Sequence, residues 1–194
     1  KLPEVLEIEE IDALLAAIDL SSPEGPRNHA MLETLYSCGL RVSELIGLRF
    51  SDLYFDEGFI RVIGKGNKER LVPVSDRVIE EVNSYQAESR MNLAIKKGQE
   101  HFVFLNRRGA ALSRVMIFTI IQQLAQKIGL DKQISPHTFR HSFATHLIEG
   151  GANLRAVQEM LGHESITTTE IYTHLDQRFL RKAILSHHPR NQSK

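Results

Sequence analysis

Several short stretches of the sequence carry side chains whose types and spacing suit the binding of an anion. The stretch "HTFR" places His137 and Arg140 three residues apart, which puts both side chains on one face of a helix. Both also lie in its first turn, where unpaired backbone N–H groups and the helix dipole favour a negative charge. Such pairs are common, so this motif alone is a weak indication of a functional site.

Four other residues lie where a polar group can be held or presented. Arg41 lies between one predicted helix and the next, and Lys65 lies between glycines in "IGKGNKER", at a predicted hairpin tip. His163 follows a helix stop in "LGHES", and Tyr172 lies in the polar run "ITTTEIYTHL". Singly, each is more typical of an ordinary residue, as when Arg41 pairs with Glu44 three positions on.

The elements that must position these residues are mostly helices. Apolar residues at helical spacing, serine and asparagine caps, and glycine or proline at the ends predict their limits. The predicted helices run from about Ile8 to Ile18, Arg27 to Ser37, Ser43 to Leu48, Ser75 to Arg90, Arg114 to Ile128, Pro136 to Glu149, Asn153 to Gly162, from Ser165 onward with Tyr172, and from Gln177 to Leu185.

Between Leu53 and Val74 the pattern changes to short β-like runs. The runs "LYF", "FIRVI" and "RLVPV" are separated by "DEG" and "GKGNKE", whose Gly and Asn residues are typical of turns. They predict a three-stranded antiparallel sheet. The predicted fold class is therefore α+β, mainly α-helical with one small three-stranded antiparallel sheet.

Composition limits the classes of function. The 194 residues carry no net charge, but seven acids lie in residues 1–25, which leaves 23 bases and 17 acids in residues 26–194. This uneven charge suits a protein that meets phosphate at one face, and it equally suits a solvated surface. The single cysteine, Cys38, excludes an internal disulfide and fits a reducing cytosol. No apolar run is long enough to span a membrane.

The order and spacing of the six residues indicate more than any one of them does. Their gaps along the chain are 24, 72, 3, 23 and 9 residues. Together with the blocks "GLRVSEL", "VIGKGNKERLVPV" and "SPHTFRHSFATHLIEGGANLRAVQEMLGHESITTTEIYTH" and the closing "HHPR", they resemble the catalytic domain of the tyrosine recombinases, most closely the Xer-type members. The resemblance extends from "LPEVLEIEEIDALL" to Pro189.

This resemblance implies DNA strand cleavage and rejoining through a 3′-phosphotyrosyl intermediate. Tyr172 is the implied nucleophile, which attacks a DNA phosphodiester. Arg41 and Arg140 are the implied cations that hold the phosphate, since guanidinium forks match its geometry and are permanently charged. The phosphotyrosyl ester conserves the bond energy, so no ATP is expected. Fixed cations do the electrostatic work that a metal does elsewhere, so neither a metal nor another cofactor is expected.

The remaining roles also follow from the resemblance. His137 and His163 are expected to donate hydrogen bonds to the same phosphate, and one of them to help the phenol lose its proton. Lys65 is the expected general acid for the departing 5′-oxygen. Glu44 matches an acidic position in the family and is expected to hold the phosphate-binding residues in place without contacting the phosphate itself. Three further basic residues of the hairpin are predicted to contact DNA, namely Arg61, Lys68 and Arg70.

The resemblance also predicts organisation and partners. Residues 1–194 are expected to be a catalytic domain without the helical N-terminal domain that completes the family's clamp around DNA. The partners are a double-stranded recombination site and a homo- or hetero-tetramer on two such sites. The C-terminal helix and tail, residues 177–194, either dock on a neighbouring protomer or fold back on their own domain. A cytoplasmic, nucleoid-associated protein is expected.

Other interpretations remain at this point. The chain could serve chromosome dimer resolution, with roles in chromosome partition and cell division, or it could be the integrase of a mobile element. A type IB topoisomerase or a non-enzymatic DNA-binding module fits the motifs less well. A metal site at His137, His141 and His146 is disfavoured, because no cysteine or well-placed acid completes a ligand set.

Overall fold

A computed structural model describes residues 4–162 and 186–191 of the chain. Seven α-helices lie in this part, and they confirm the predicted helical segments up to Leu161. They are α1 (Ile8–Ala16), α2 (Gly25–Cys38), α3 (Val42–Ile46), α4 (Asp76–Glu88), α5 (Arg114–Lys127), α6 (Pro136–Glu149) and α7 (Leu154–Leu161). The helices predicted from Ser165 and from Gln177 lie outside the described residues.

The predicted caps explain where several helices begin. The side chain of Ser75 accepts a hydrogen bond from Val78 N at the start of α4. Ser113 does the same for α5, and Asn153 does so for α7. Each side chain satisfies one of the backbone N–H groups that a helix start leaves without a partner.

Helix α4 ends earlier than the sequence pattern predicts. The expected end was near Arg90, but the helix stops at Glu88 and Arg90 begins a 3₁₀ turn, Arg90–Asn92. The reason is that the buried guanidinium of Arg90 donates to the carbonyls of Glu100, Phe102 and Val103. A tertiary contact therefore decides this boundary, and helix propensity does not.

The predicted sheet is confirmed in both topology and size. Strands β1 (Leu53–Tyr54), β2 (Phe59–Ile63) and β3 (Glu69–Pro73) are antiparallel in the order β1-β2-β3. The β2–β3 register runs from Phe59 opposite Pro73 to Ile63 opposite Glu69. The hairpin tip, residues 64–68, is closed by a 2.8 Å hydrogen bond from Gly64 N to Lys68 O.

Helix α2 lies at the centre of the core. Every residue from Ala30 to Cys38 is buried, and α4 and α6 pack against this helix. Burial raises the pKa of the Cys38 thiol to about 12, so this cysteine is an unreactive packing residue. No helix among the described residues is long and apolar enough to cross a membrane.

Residues 186–191 pack on the same chain beside α2. The His188 ring is fully buried, with its centroid 4.9 Å from that of Tyr36 and 5.4 Å from that of Phe143. Arg190 forms ion pairs with Asp12 of α1 and Glu33 of α2. His188 and Arg190 are therefore held by an aromatic pocket and two acids.

This docking predicts a pH dependence. Burial, reinforced by the charge of Arg190, lowers the pKa of His188 from 6.5 to about 3. The unfolded chain takes up the proton near pH 6.5, so stability is full above that pH and falls as pH drops toward about 3. We expect unfolding in urea to show wild type losing about 2 kcal/mol more than His188→Phe between about pH 7 and about pH 5. Equal losses would contradict this burial.

Candidate active site

A tight connection between α2 and α3 presents Arg41. Helix α2 ends at Gly39, whose positive φ of 63° suits glycine, and α3 begins at Val42. Arg41 is the extended residue immediately before α3, with ψ of 152°, and its side chain is half-buried. Among the described residues no acceptor takes a hydrogen bond from its guanidinium. The short connection thus presents a cation that the described part of the protein leaves available.

Glu44 anchors this connection from inside. Its side chain is 1% exposed, and its Oε1 accepts a 2.8 Å hydrogen bond from the backbone N–H of Arg41. The same carboxylate is held by both terminal nitrogens of Arg70, with Nη2 at 2.9 Å from Oε1 and Nη1 bonded to Oε2. Two parallel bonds of this kind fix both the position and the plane of the carboxylate.

Arg140 reaches the same place from α6. Its Nη1 lies 3.8 Å from Glu44 Oε1 and donates to Gly39 O at 2.8 Å. Its Nη2 donates to Leu161 O, at the end of α7. These bonds use two of the five N–H donors of the guanidinium and leave the remainder for a ligand.

The end of α7 is held by two arginines. Arg70 Nε donates to Met160 O at 2.8 Å, and Arg140 donates to the next carbonyl, that of Leu161. These are carbonyls that a helix end leaves without partners, and cations there also complement the helix dipole. Gly162 then turns the chain with a φ of 70°, immediately before His163.

Among the described residues, Glu44 is the acid that offsets part of the positive charge of Arg41, Arg70 and Arg140. Burial alone would raise the pKa of Glu44, but the hydrogen bonds and charge of Arg70, the Arg41 N–H and the charge of Arg140 hold it below its ordinary value. Burial, with the positive charges of Arg70 and Arg41, lowers the pKa of Arg140 to about 10, against the opposing effect of Glu44. Glu44 is therefore ionised and Arg140 protonated at neutral pH, and the cluster keeps excess positive charge for an anion.

His137 and Lys65 lie at the exposed border of this cluster. His137 is the second residue of α6, one turn before Arg140, and it is exposed. Lys65 is exposed at the hairpin tip, where Gly66 has a φ of 72° and Asn67 one of 57°. Gly64, at the base of the tip, lies so close to Glu44 that a Cβ there would be 3.2 Å from Oε2. Gly64 therefore places the base of the tip that carries Lys65 against Glu44.

Of the predicted site residues, the structure brings together Arg41, Glu44 and Arg140, and His137 lies on the same helix as Arg140. The predicted residues His163 and Tyr172 lie outside the described residues. The three histidines considered as metal ligands have separate environments: His137 is exposed, and His146 Nδ1 lies 2.7 Å from the hydroxyl of buried Tyr36. Within residues 4–162 and 186–191 no group of three potential ligands could hold a metal ion.

The three predicted DNA contacts have different surroundings. Lys68 is exposed at the hairpin tip. Arg61 is 30% exposed and bonds Asp52 through Nε at 2.9 Å. Arg70 does not fit a DNA contact in this conformation, because it is 3% exposed and all three of its nitrogens bond protein acceptors. Sequence reasoning missed its position, although Arg70 shares the inward face of β3 with Val72, two residues on.

Comparison with known proteins shows the family to which the chain belongs. The phage integrase family matches residues 4–178 of the chain. The chain belongs to this family of tyrosine recombinases. It is 50% identical to the tyrosine recombinase XerD of Halalkalibacterium halodurans over 98% of its own length and 63% of that protein. It is 47% identical to XerD of Listeria innocua, over 97% of the chain and 64% of the relative.

Solved structures of recombinases share the fold. The crystal structure of XerA recombinase matches with a TM-score of 0.74 and 31% identity, covering 97% of this chain and 67% of that one. XerH bound to its difH substrate, in a pre-cleavage complex, matches with a TM-score of 0.74 and 31% identity, covering 90% and 51%. The chain thus spans less than two thirds of the length of the XerD relatives.

The close approach of Arg70 to the end of α7 can be tested through glycine. Gly162 and Gly129 both follow helices with nearly equal φ values of 70° and 67°, but a Cβ at Gly162 would lie 3.1 Å from Arg70 Cδ, whereas one at Gly129 meets nothing within 4 Å. We expect Gly129→Ala to cost about 1 kcal/mol of unfolding free energy from backbone strain. Gly162→Ala should cost about 1 kcal/mol more from overpacking. Equal costs in urea unfolding would contradict the close approach.

Proposed function

We propose that this chain carries the catalytic site of an Xer-type site-specific recombinase, which cuts and rejoins DNA through a covalent bond to Tyr172. The observation that carries the proposal is that the Arg140 guanidinium and the Arg41 backbone N–H meet at one buried carboxylate, Glu44, where α2 and α7 end and α3 begins. Such a cluster keeps two guanidinium groups in place for a single phosphate.

The arginines supply the electrostatic part of the reaction. A phosphodiester under attack gathers negative charge on its non-bridging oxygens, and planar guanidinium groups bind those oxygens in pairs. Arg140 is fixed by two backbone carbonyls and still has free N–H donors, and Arg41 has its guanidinium available among the described residues. Because these cations are placed before the substrate binds, little reorganisation is needed in the transition state.

The covalent steps then balance without a cofactor. The Tyr172 oxygen forms a bond to phosphorus while the bond from phosphorus to the 5′-oxygen breaks, and His137 or His163 accepts the phenol proton. Lys65 donates a proton to the leaving 5′-oxygen, which gives a free 5′-hydroxyl. In the second step a 5′-hydroxyl attacks the phosphotyrosine and gives its proton to Lys65, and the departing Tyr172 oxygen takes its proton back from the histidine. One ester replaces another at each step, so no ATP is consumed.

The relatives support the Xer-type assignment over that of a mobile-element integrase. The phage integrase from mycobacterium phage Brujita has the same fold, with a TM-score of 0.73, but is 27% identical, whereas the XerD proteins are about 50% identical. We therefore favour chromosome dimer resolution, in the cytoplasm at the nucleoid, as the setting.

Strand exchange between paired sites distinguishes this activity from that of a type IB topoisomerase, which only relaxes supercoils.

Replacing the nucleophile tests the proposal directly. On a nicked suicide substrate, wild type should accumulate a covalent protein–DNA adduct, and Tyr172→Phe should form none because it lacks the attacking oxygen. Its affinity for the same DNA should stay within about threefold of wild type, since only a hydroxyl is lost. Adducts in the Tyr172→Phe protein would refute the nucleophile, and their absence from both proteins would favour a module that only binds DNA.

The proton donor has a chemical test of its own. Lys65→Ala should slow cleavage of ordinary DNA by about 100-fold or more. A substrate with sulfur at the 5′-bridging position should restore most of that rate, because a thiolate leaves without a proton. The matched control is Lys68→Ala, on the same exposed tip, which should slow both substrates equally. If the sulfur substrate gives Lys65→Ala no advantage over ordinary DNA, the acid role is wrong.

Double-stranded DNA and further protomers are the proposed partners. Several of the structural neighbours, such as the XerH complex with difH, are recombinases bound to DNA substrates. We place four protomers on two DNA sites, linked through the C-terminal segment that begins at Gln177. The docking of residues 186–191 on their own chain supports a return of the chain end to its own domain. The exchanged part is then confined to the residues before Ser186.

Truncation separates these two arrangements. Deleting residues 177–194 should lower the cooperativity of protomer binding to paired half-sites, measured by gel-shift titration, if this segment links neighbours. His188→Ala is the matched control, because it loosens only the end that docks on the same chain. Unchanged cooperativity in the truncated protein would rule out the exchange.

A further inference from the structure

Arg70 is a buried cation that the proposed reaction leaves without a role. It lies in β3, opposite Val62 and five residues beyond Lys65, and is 3% exposed. Its Nε, Nη1 and Nη2 bond Met160 O and both oxygens of Glu44. A guanidinium engaged on all three nitrogens and closed to solvent has little left to offer a phosphate.

We infer that Arg70 is a positioning residue that joins the hairpin carrying Lys65 to the end of α7 and the start of α3. The inference rests on the function proposed above. Through its strand it is continuous with the hairpin that presents Lys65. Through Met160 O it holds the last turn of α7, from which His163 follows. Through Glu44 it fixes the start of α3 and hence Arg41. The Arg70 side chain thus sets the spacing between Lys65, the proposed general acid, and the groups that are proposed to bind the phosphate.

Its second effect is to keep Arg140 available. Glu44 Oε1 lies 3.8 Å from Arg140 Nη1, too long for a hydrogen bond, because the bidentate pair holds the carboxylate toward Arg70. Without Arg70 the same buried carboxylate would need a new partner, and Arg140 is the nearest guanidinium. Arg140 would then be drawn from the scissile phosphate to Glu44.

This competition gives a pH signature that a general loss of stability would not produce. The charged groups that face Glu44 within the described residues are Arg70 and Arg140, and Arg41 reaches it through its backbone N–H. In Arg70→Met the carboxylate keeps its burial but loses its main partner, so its pKa rises. Lowering the pH then protonates Glu44 and releases Arg140. The ratio of variant to wild-type cleavage should therefore increase as pH falls.

The test measures adduct formation on the nicked substrate from about pH 8 to about pH 5.5, with rates expressed per folded protein. Arg70→Met should cleave about 100-fold more slowly than wild type near neutral pH, as expected for a misplaced catalytic group. Adding Glu44→Gln should recover about 10-fold of this loss, because the neutral amide no longer captures Arg140. In this double variant Arg140 is released, so DNA affinity and its salt dependence should match wild type, whereas a lost phosphate contact of Arg70 itself would reduce the salt slope by about one.

Two further variants keep the test decisive if Arg70→Met folds poorly. Arg70→Lys retains the charge but cannot bond Glu44 bidentately and reach Met160 as well, so cleavage should fall by about 10-fold with a pH-independent ratio. Arg90→Met is the control, because it removes another buried arginine that bonds backbone carbonyls and lies 20 positions from Arg70 in the sequence. It should lower stability and leave the ratio of rates independent of pH.

The outcomes separate this inference from the proposed function. Adducts in wild type with an undiminished rate in Arg70→Lys and Arg70→Met would overturn the inference alone. The inference would also fail if the Arg70→Met/Glu44→Gln variant cleaved DNA no faster than Arg70→Met and the ratio of Arg70→Met to wild-type cleavage did not change with pH. A reduced salt slope in the Arg70→Met/Glu44→Gln double variant would show that Arg70 contacts DNA. Absence of adducts in wild type itself would refute the proposed function.

Discussion

The ion pair between Glu44 and Arg70 is the interaction on which the site depends. Both side chains are almost completely buried, at 1% and 3% exposure, and burying two charges is costly unless every polar atom is satisfied. Here the carboxylate accepts three hydrogen bonds, and the guanidinium donates from all three nitrogens. Such a pair contributes little net stability compared with apolar packing, but it tolerates few alternative arrangements.

This constraint explains how residues distant in sequence share one location. Arg41 and Arg140 are 99 positions apart, yet a short α2–α3 connection and the first turns of α6 bring both to Glu44. The same pair holds the end of α7 and lies against the base of the hairpin. Fixed groups therefore occupy the interior, whereas Lys65 and His137 remain exposed, as the proton transfers proposed for them would require.

Much of this arrangement could be predicted from the sequence because local chemistry specifies it. Turn residues at "DEG" and "GKGNKE" fixed the three strands, and serine or asparagine caps fixed the starts of α4, α5 and α7. The helix around "HTFR" was specified by Pro136 and the glycines after Glu149. In the site, the resemblance pointed to Arg41 and Arg140, which the structure places together.

What the sequence could not show depends on tertiary contacts. An arginine in "KERLVPV" looks like a surface cation, and only the burial alternation of β3 and the proximity of Glu44 make Arg70 internal. Arg90 ends α4 through carbonyls ten to thirteen residues away, which no propensity encodes. The docking of His188 against Tyr36 and Phe143 joins positions more than 40 residues apart, so "HHPR" gave no local signal of its pocket.

The most direct test of this account is a crystal structure of the Tyr172→Phe protein bound to its recombination site. It should show the guanidinium groups of Arg41 and Arg140 about 3 Å from the oxygens of one phosphate, with Arg70 still paired to Glu44 and away from DNA. The account would be contradicted if Arg41 and Arg140 bound different phosphates, or if Arg70 left Glu44 to contact the DNA itself.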